Sequence, residues 1–221
     1  MVISPISRLL GLISPQIKKI AGVRFDQSRI DSLDALVLFT HTRSAYVAQT
    51  SLYGYLKARM GTKYRTIFSD PVFQEPLNTS KWKTYAACLT DLTVFCVGTI
   101  SARSSLSKES SIKLAEYCLT NALDETFDDC SVDGLRRDVE DKFRQRIQFV
   151  DWVFASEMEN AFTHSPNELI NAAPVIDEFK DSDREIVTNS IRFRWRDVRM
   201  QFRKRCDAAT LSTAWQKRDT S

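Results

Sequence analysis

The chain has 221 residues, 43% of them apolar, and a formal net charge of +3. That length fits one domain with extensions, and so small a charge does not single out a polyanionic partner. Six Gly and six Pro are few for this length, which disfavours turn-rich all-β and α/β folds.

The first 30 residues differ in composition from the rest. No acid precedes Asp26, and Ile3, Ile6, Leu9, Leu10, Ile13, Ile17 and Ile20 recur at helical spacing beside Arg8, Lys18 and Lys19. Pro15 interrupts the pattern. Such an arm suits a partner groove or an anionic membrane surface, with Ile6, Leu9, Leu10, Ile13 and Ile17 toward the apolar phase and Arg8, Lys18 and Lys19 toward phosphates. It also suits a targeting segment, or an arm packed on its own bundle.

Ser32 to Gly61 reads as the axis of the domain. Asp31 or Ser32 can cap its start and Gly61 ends it. Between Leu33 and Leu56 the only full charges are Asp34 and Arg43, so most sides of this helix must be covered. Thr42, Tyr46, Gln49 and Tyr53 share one face. Together with His41 they offer a pocket lining, although satisfied interhelical hydrogen bonds are the commoner origin of such a row.

Residues 62–78 read as a loop that Pro71 and Pro76 keep extended. A second apolar helix follows, from about residue 78 to 101, with Trp82, Tyr85, Leu89, Cys96 and Val97 on its stripe. Asp91 breaks that stripe. A carboxylate there needs a partner, and Arg43 on the first helix is the expected one; each could instead cap a nearby backbone or hydroxyl group. This helix also holds the most apolar run, Tyr85 to Ile100. It falls short of the ~20 residues a membrane span needs.

A third helix is expected over 108–127, capped by Ser107. A fourth is expected over 132–162, with Val139, Phe143, Ile147, Val150, Val153 and Phe154 inward and alternating charges outward. Ser165 is the expected cap of a short helix, with Pro166 in its first turn and Glu168 closing the box, that stops before Pro174. The last long helix runs from Ser182 to about Ala209. Its apolar stripe is Ile191, Trp195, Val198 and Phe202, and its basic stripe is Arg192, Arg196, Arg199 and Arg203. After Leu211 the tail reads as polar and frayed. The division expected is therefore an arm over 1–30, a bundle over 31–210 and a tail over 211–221.

Charge is uneven along the chain. From Glu116 to Asp141 there are nine acids and two bases; from Ile191 to Arg205 there are seven bases and one acid. Docking of the basic stripe against an acidic segment, in this chain or another, ranks ahead of nucleic-acid binding, because Trp195 and Phe202 fall on the apolar stripe rather than free for stacking.

The five cysteines, Cys88, Cys96, Cys118, Cys130 and Cys206, are odd in number and lack any CxxC pair. They argue against a disulfide framework and a zinc site and for a reducing, cytoplasmic compartment. No phosphate-cradling glycine loop, nucleophile elbow or zinc-hydrolase motif occurs. The only histidines are His41 and His164, and neither sits in an ExxH pair. No catalytic residue, metal or cofactor is therefore assigned.

The stretch LDALVLFTHTRSAYVAQTSLYGYLKARMGT resembles an uncharacterised group of helical proteins from alphaproteobacteria. The resemblance implies a bacterial protein that is cytosolic or peripheral to a membrane, and carries over no site residue. The reading as a whole is an all-α, single-domain bundle of four to six helices with an N-terminal amphipathic arm. Its expected role is a non-enzymatic interaction or assembly protein at a larger complex, with the cytoplasmic face of a membrane as one setting. The alternatives are a small-ligand pocket or enzyme site around His41, Tyr46 and Gln49, and a nucleic-acid binder using the last helix. A homo-oligomer is compatible with all of these.

Overall fold

The computed structural model describes residues 28–104, 106–127, 130–157 and 159–219. The arm positions Ile6, Arg8, Leu9, Leu10, Ile13, Ile17, Lys18 and Lys19 lie outside the described residues. The fold is all-α. Its helices are α1 (Leu33–Met60), α2 (Tyr64–Phe68), α3 (Pro71–Ser104), α4 (Lys108–Asp124), α5 (Leu135–Ile147), α6 (Ser165–Ala172), α7 (Asp177–Arg205) and α8 (Ala208–Asp219), with a 3₁₀ turn at Gly61–Lys63. That exceeds the four to six expected, because short helices form where loop and tail were read.

Ser32 caps α1 by accepting the Ala35 N–H at 3.2 Å, and Gly61 closes it at φ 54°. Yet the centre of the bundle is α3. It touches every other α-helix among the described residues, and from Cys88 to Val97 every side chain is buried. A helix apolar on all sides is stable only inside such a ring of neighbours. By length and composition α3 could cross a membrane, but 83% of its most apolar window is buried within the bundle.

The expected extended loop over 62–78 is instead largely helical. Asp70 accepts the Val72 N–H at 2.9 Å, and Pro71 takes the first helical position, where its missing donor costs nothing. Pro76 sits inside the helix, close enough to its start that a single backbone bond is lost.

The fourth helix is shorter than the 132–162 expected. It ends at Ile147, and an irregular, turn-rich segment runs to α6. Asp151 accepts the N–H groups of Val153 at 3.2 Å and Phe154 at 3.4 Å, a side-chain turn that competes with helix continuation. Gly98 on α3 admits this segment: a Cβ there would lie 2.9 Å from the Ala155 Cβ and 3.2 Å from the Ser156 nitrogen.

At the other end, α7 starts at Asp177, ahead of Ser182. The tail is also ordered further than expected, as α8. Asp207 accepts the Thr210 N–H at 3.2 Å, Leu211 and Trp215 are buried, and the Trp215 indole donates to the Ser110 carbonyl at 3.1 Å. Residues 28–30 lie against the α7–α8 joint. The Ile30 N–H donates to the Arg205 carbonyl and the Asp207 N–H to the Ile30 carbonyl, both at 3.0 Å, and Arg29 pairs with Asp207 at 2.6 Å.

Candidate functional site

Asp91 is fully buried, and its partner is Arg146 on α5, not Arg43. The Arg146 guanidinium donates to Asp91 Oδ1 at 2.8 Å and to the Ala161 carbonyl at 2.7 Å. Two backbone donors at the start of α6 complete the shell: His164 N–H at 3.1 Å and Ser165 N–H at 2.7 Å, both to Oδ2. The carboxylate thus caps α6 from another helix, at the end where the macrodipole favours negative charge. Ser165 was the expected cap. Its hydroxyl instead accepts the Trp195 indole N–H from α7 at 3.0 Å. One buried side chain therefore ties α3, α5 and α6 together, with α7 one bond away. The Cys88 thiol lies beneath this hub, and burial pushes its pKa well up, so it is an inert core group rather than a nucleophile.

Arg43 is buried as expected, but its guanidinium lies 5.7 Å from the Phe39 ring centroid, where cation–π attraction offsets part of the cost of burial.

Above the hub lies an open groove of about 720 Å³ between α5 and the 148–164 segment. Val94, Val150, Phe149 and Phe154 supply its apolar wall; Lys142, Gln145, Asn160 and His164 supply its polar rim. Phe149 is 89% exposed, with Val153 and Phe154 each more than half exposed beside it. Val153 and Phe154, expected to face inward, thus face water. The polar floor is occupied, since Arg146 is committed to Asp91 and the half-exposed His164 ring accepts or donates 3.0 Å from the Thr163 hydroxyl. Among the described residues no cluster of His, Cys, Asp and Glu could hold a metal ion.

The residues of the expected pocket, His41, Tyr46, Gln49 and Tyr53, are each half-buried on α1. His41 Nδ1 lies 2.9 Å from the Tyr85 hydroxyl, and burial lowers its pKa to about 4, leaving it neutral at pH 7. Tyr53 packs edge-on against Phe68, with ring centroids 5.5 Å apart. The Tyr46 carbonyl accepts the Thr50 hydroxyl at 2.7 Å, and Gln49 is half-buried on the same helix. Of these, His41 and Tyr53 serve packing between helices.

The basic stripe of α7 is mostly used within the chain. Arg192 and Arg199 both reach Glu159, at 3.3 and 3.7 Å, and Arg203 donates to the Ser156 carbonyl at 2.6 Å. Arg196 stays on the surface, its guanidinium 4.2 Å over the Phe193 ring and 3.7 Å from Asp197. The stripe therefore holds the groove-forming segment in place. The acids it meets lie beyond the 116–141 segment first considered. That segment instead carries its own ladder, in which Arg136 bridges Asp124 and Glu140.

Periodicity missed the groove, because it extended α5 through the residues that form it. Asp151, a helix-interior position in that reading, was the available signal. No family model matches the chain, and neither does any curated protein or solved structure.

Proposed function

We propose that the chain is a non-enzymatic interaction protein that docks to a larger cytoplasmic complex through the groove above Asp91. The observation that carries this reading is the exposure of Phe149 together with Val153 and Phe154, on a segment held from below by buried polar bonds. Contiguous exposed aromatics rimmed by polar groups are the usual mark of a protein contact surface. The fitting partner presents an amphipathic segment, with apolar side chains toward Phe149 and Phe154 and acceptors toward Lys142 and Gln145. A groove held by a satisfied network needs little ordering on binding, which favours affinity.

The test is a native pull-down from the source cell with the full chain and with the Phe149→Ser/Phe154→Ser variant. Both positions are exposed, so folding stability should change by less than about 0.5 kcal/mol each. Loss of the same partner from the variant supports the groove. Retention of every partner by a folded variant overturns it. Flotation of the wild type, but not the variant, with anionic vesicles in place of protein capture also overturns it, in favour of a membrane surface.

A further inference from the structure

Helix α7 carries a second, exposed apolar row, of which Phe179 also lies under the Arg59 guanidinium of α1 at 4.5 Å. Its inner stripe, Val187, Ile191, Trp195, Val198 and Phe202, is buried. On the opposite side Phe179, Ile186, Phe193 and Met200 stand seven residues apart and are 43%, 72%, 57% and 56% exposed. Seven residues advance a helix by two turns with a drift of only ~20°, so the four side chains form one nearly straight seam. At ~1.5 Å per residue the helix is roughly 43 Å long, and the seam spans most of it.

The charges beside the seam are divided by half. From Asp177 to Ser190 there are five acids and two bases; from Ile191 to Arg205 there are seven bases and one acid. On one flank lie Glu178 and Glu185 in the first half and Arg192, Arg196 and Arg199 in the second. A parallel partner of the same kind would set like charges side by side. An antiparallel one sets each acidic half against a basic half.

The register follows from the spacing. Pairing Ile186 with Phe193 of a second copy also pairs Phe179 with Met200, and the two-fold axis then passes between Asn189 and Ser190. Every apolar side chain of the row meets another, which is the self-complementarity an isologous contact requires. We infer that α7 is a homodimerisation helix, whose outer face packs antiparallel against α7 of a second copy of this chain. In that arrangement Glu185 lies alongside Arg192 and Arg196 of the other copy. The seam shares no residue with the groove lining, and Arg192 on its flank also reaches Glu159 of the groove-forming segment.

The test is sedimentation of the full chain over a concentration series, with cross-linking for orientation. A single helix pair is a small interface, so a micromolar dimer of twice the 25.3 kDa chain mass is expected. Ile186→Glu should raise the dimer Kd by at least about tenfold. Its side chain is exposed, and an unchanged circular dichroism spectrum confirms the fold. Glu185→Lys and Arg196→Glu should each weaken the dimer, and the two together in one chain should restore it. Ile186→Cys mixed with Phe193→Cys should form an interchain disulfide, whereas Ile186→Cys alone should not. A monomer at about 100 μM, a hundredfold above a Kd of ~1 μM, overturns the inference. So does a dimer indifferent to Ile186→Glu, or a disulfide through Ile186→Cys alone.

Discussion

Along α3, from Cys88 to Val97, side chains point in every direction and all of them are buried. In the 148–164 segment Trp152 and Phe162 are buried, while Phe149, Val153 and Phe154 face water. The first region is placed by its apolar surface, which any ring of helices can cover. The second is placed by a few directed bonds: Arg146 to the Ala161 carbonyl, Arg203 to the Ser156 carbonyl, and Asp91 to the start of α6. Burial without direction makes a core; direction without full burial leaves apolar side chains free for another molecule.

The comparison can be broken most severely at Asp91, which belongs to both regions. Asp91→Ala leaves the Arg146 charge and two α6 N–H groups without their acceptor. It should cost ~3–5 kcal/mol in urea unfolding. Asp91→Leu combined with Arg146→Met should lose less than Asp91→Ala alone, because no buried charge remains.

A smaller loss comes from acid. His41 is kept neutral in the fold down to about pH 4, whereas an unfolded histidine takes up its proton near 6.5. Between those values the unfolded chain binds more protons, so stability falls as pH drops from about 6.5 to 4. At ~1.36 kcal/mol per unit, a drop from 6.5 to about 4 makes the total roughly 3 kcal/mol. His41→Gln keeps a hydrogen-bonding group beside Tyr85 and removes the titration. Its pH profile over that window should be flatter than the wild type's, by thermal or urea unfolding.

Smaller still is the effect at Gly98, the point where the two regions touch. Gly98→Ala places a methyl against Ala155 and the Ser156 backbone. Overpacking of this kind costs ~1–3 kcal/mol. If the account is right, proteolysis within 148–164 should rise in this variant more than cleavage elsewhere.

The regions differ in how far they could be read from residues alone. The ends of α1 were legible because Ser32 and Gly61 act locally, and the buried stripe of α3 was legible because its spacing is regular. Asp91 was recognisable as a buried charge in need of a partner, but the partner lies 55 residues on, and nothing local distinguishes Arg146 from the other arginines of α5. Arg43 was the other buried charge in view, and its guanidinium lies beside the Phe39 ring. The groove was hidden because Val150, Val153 and Phe154 continue the spacing of α5; only the turn at Asp151 cancels it. The α7 arginines were conspicuous, yet three of the four are occupied by acceptors in a segment whose course no pattern announces.

The joint between α7 and α8 gives the beginning of the described chain a particular mechanical address. Residues 28–30 are stitched there by two main-chain bonds and an ion pair, not to the helix that follows them in sequence. Tension applied at Ser28 would load that elbow before it reached α1. A tether, label or fusion at that end would therefore report strain from the C-terminal corner of the molecule.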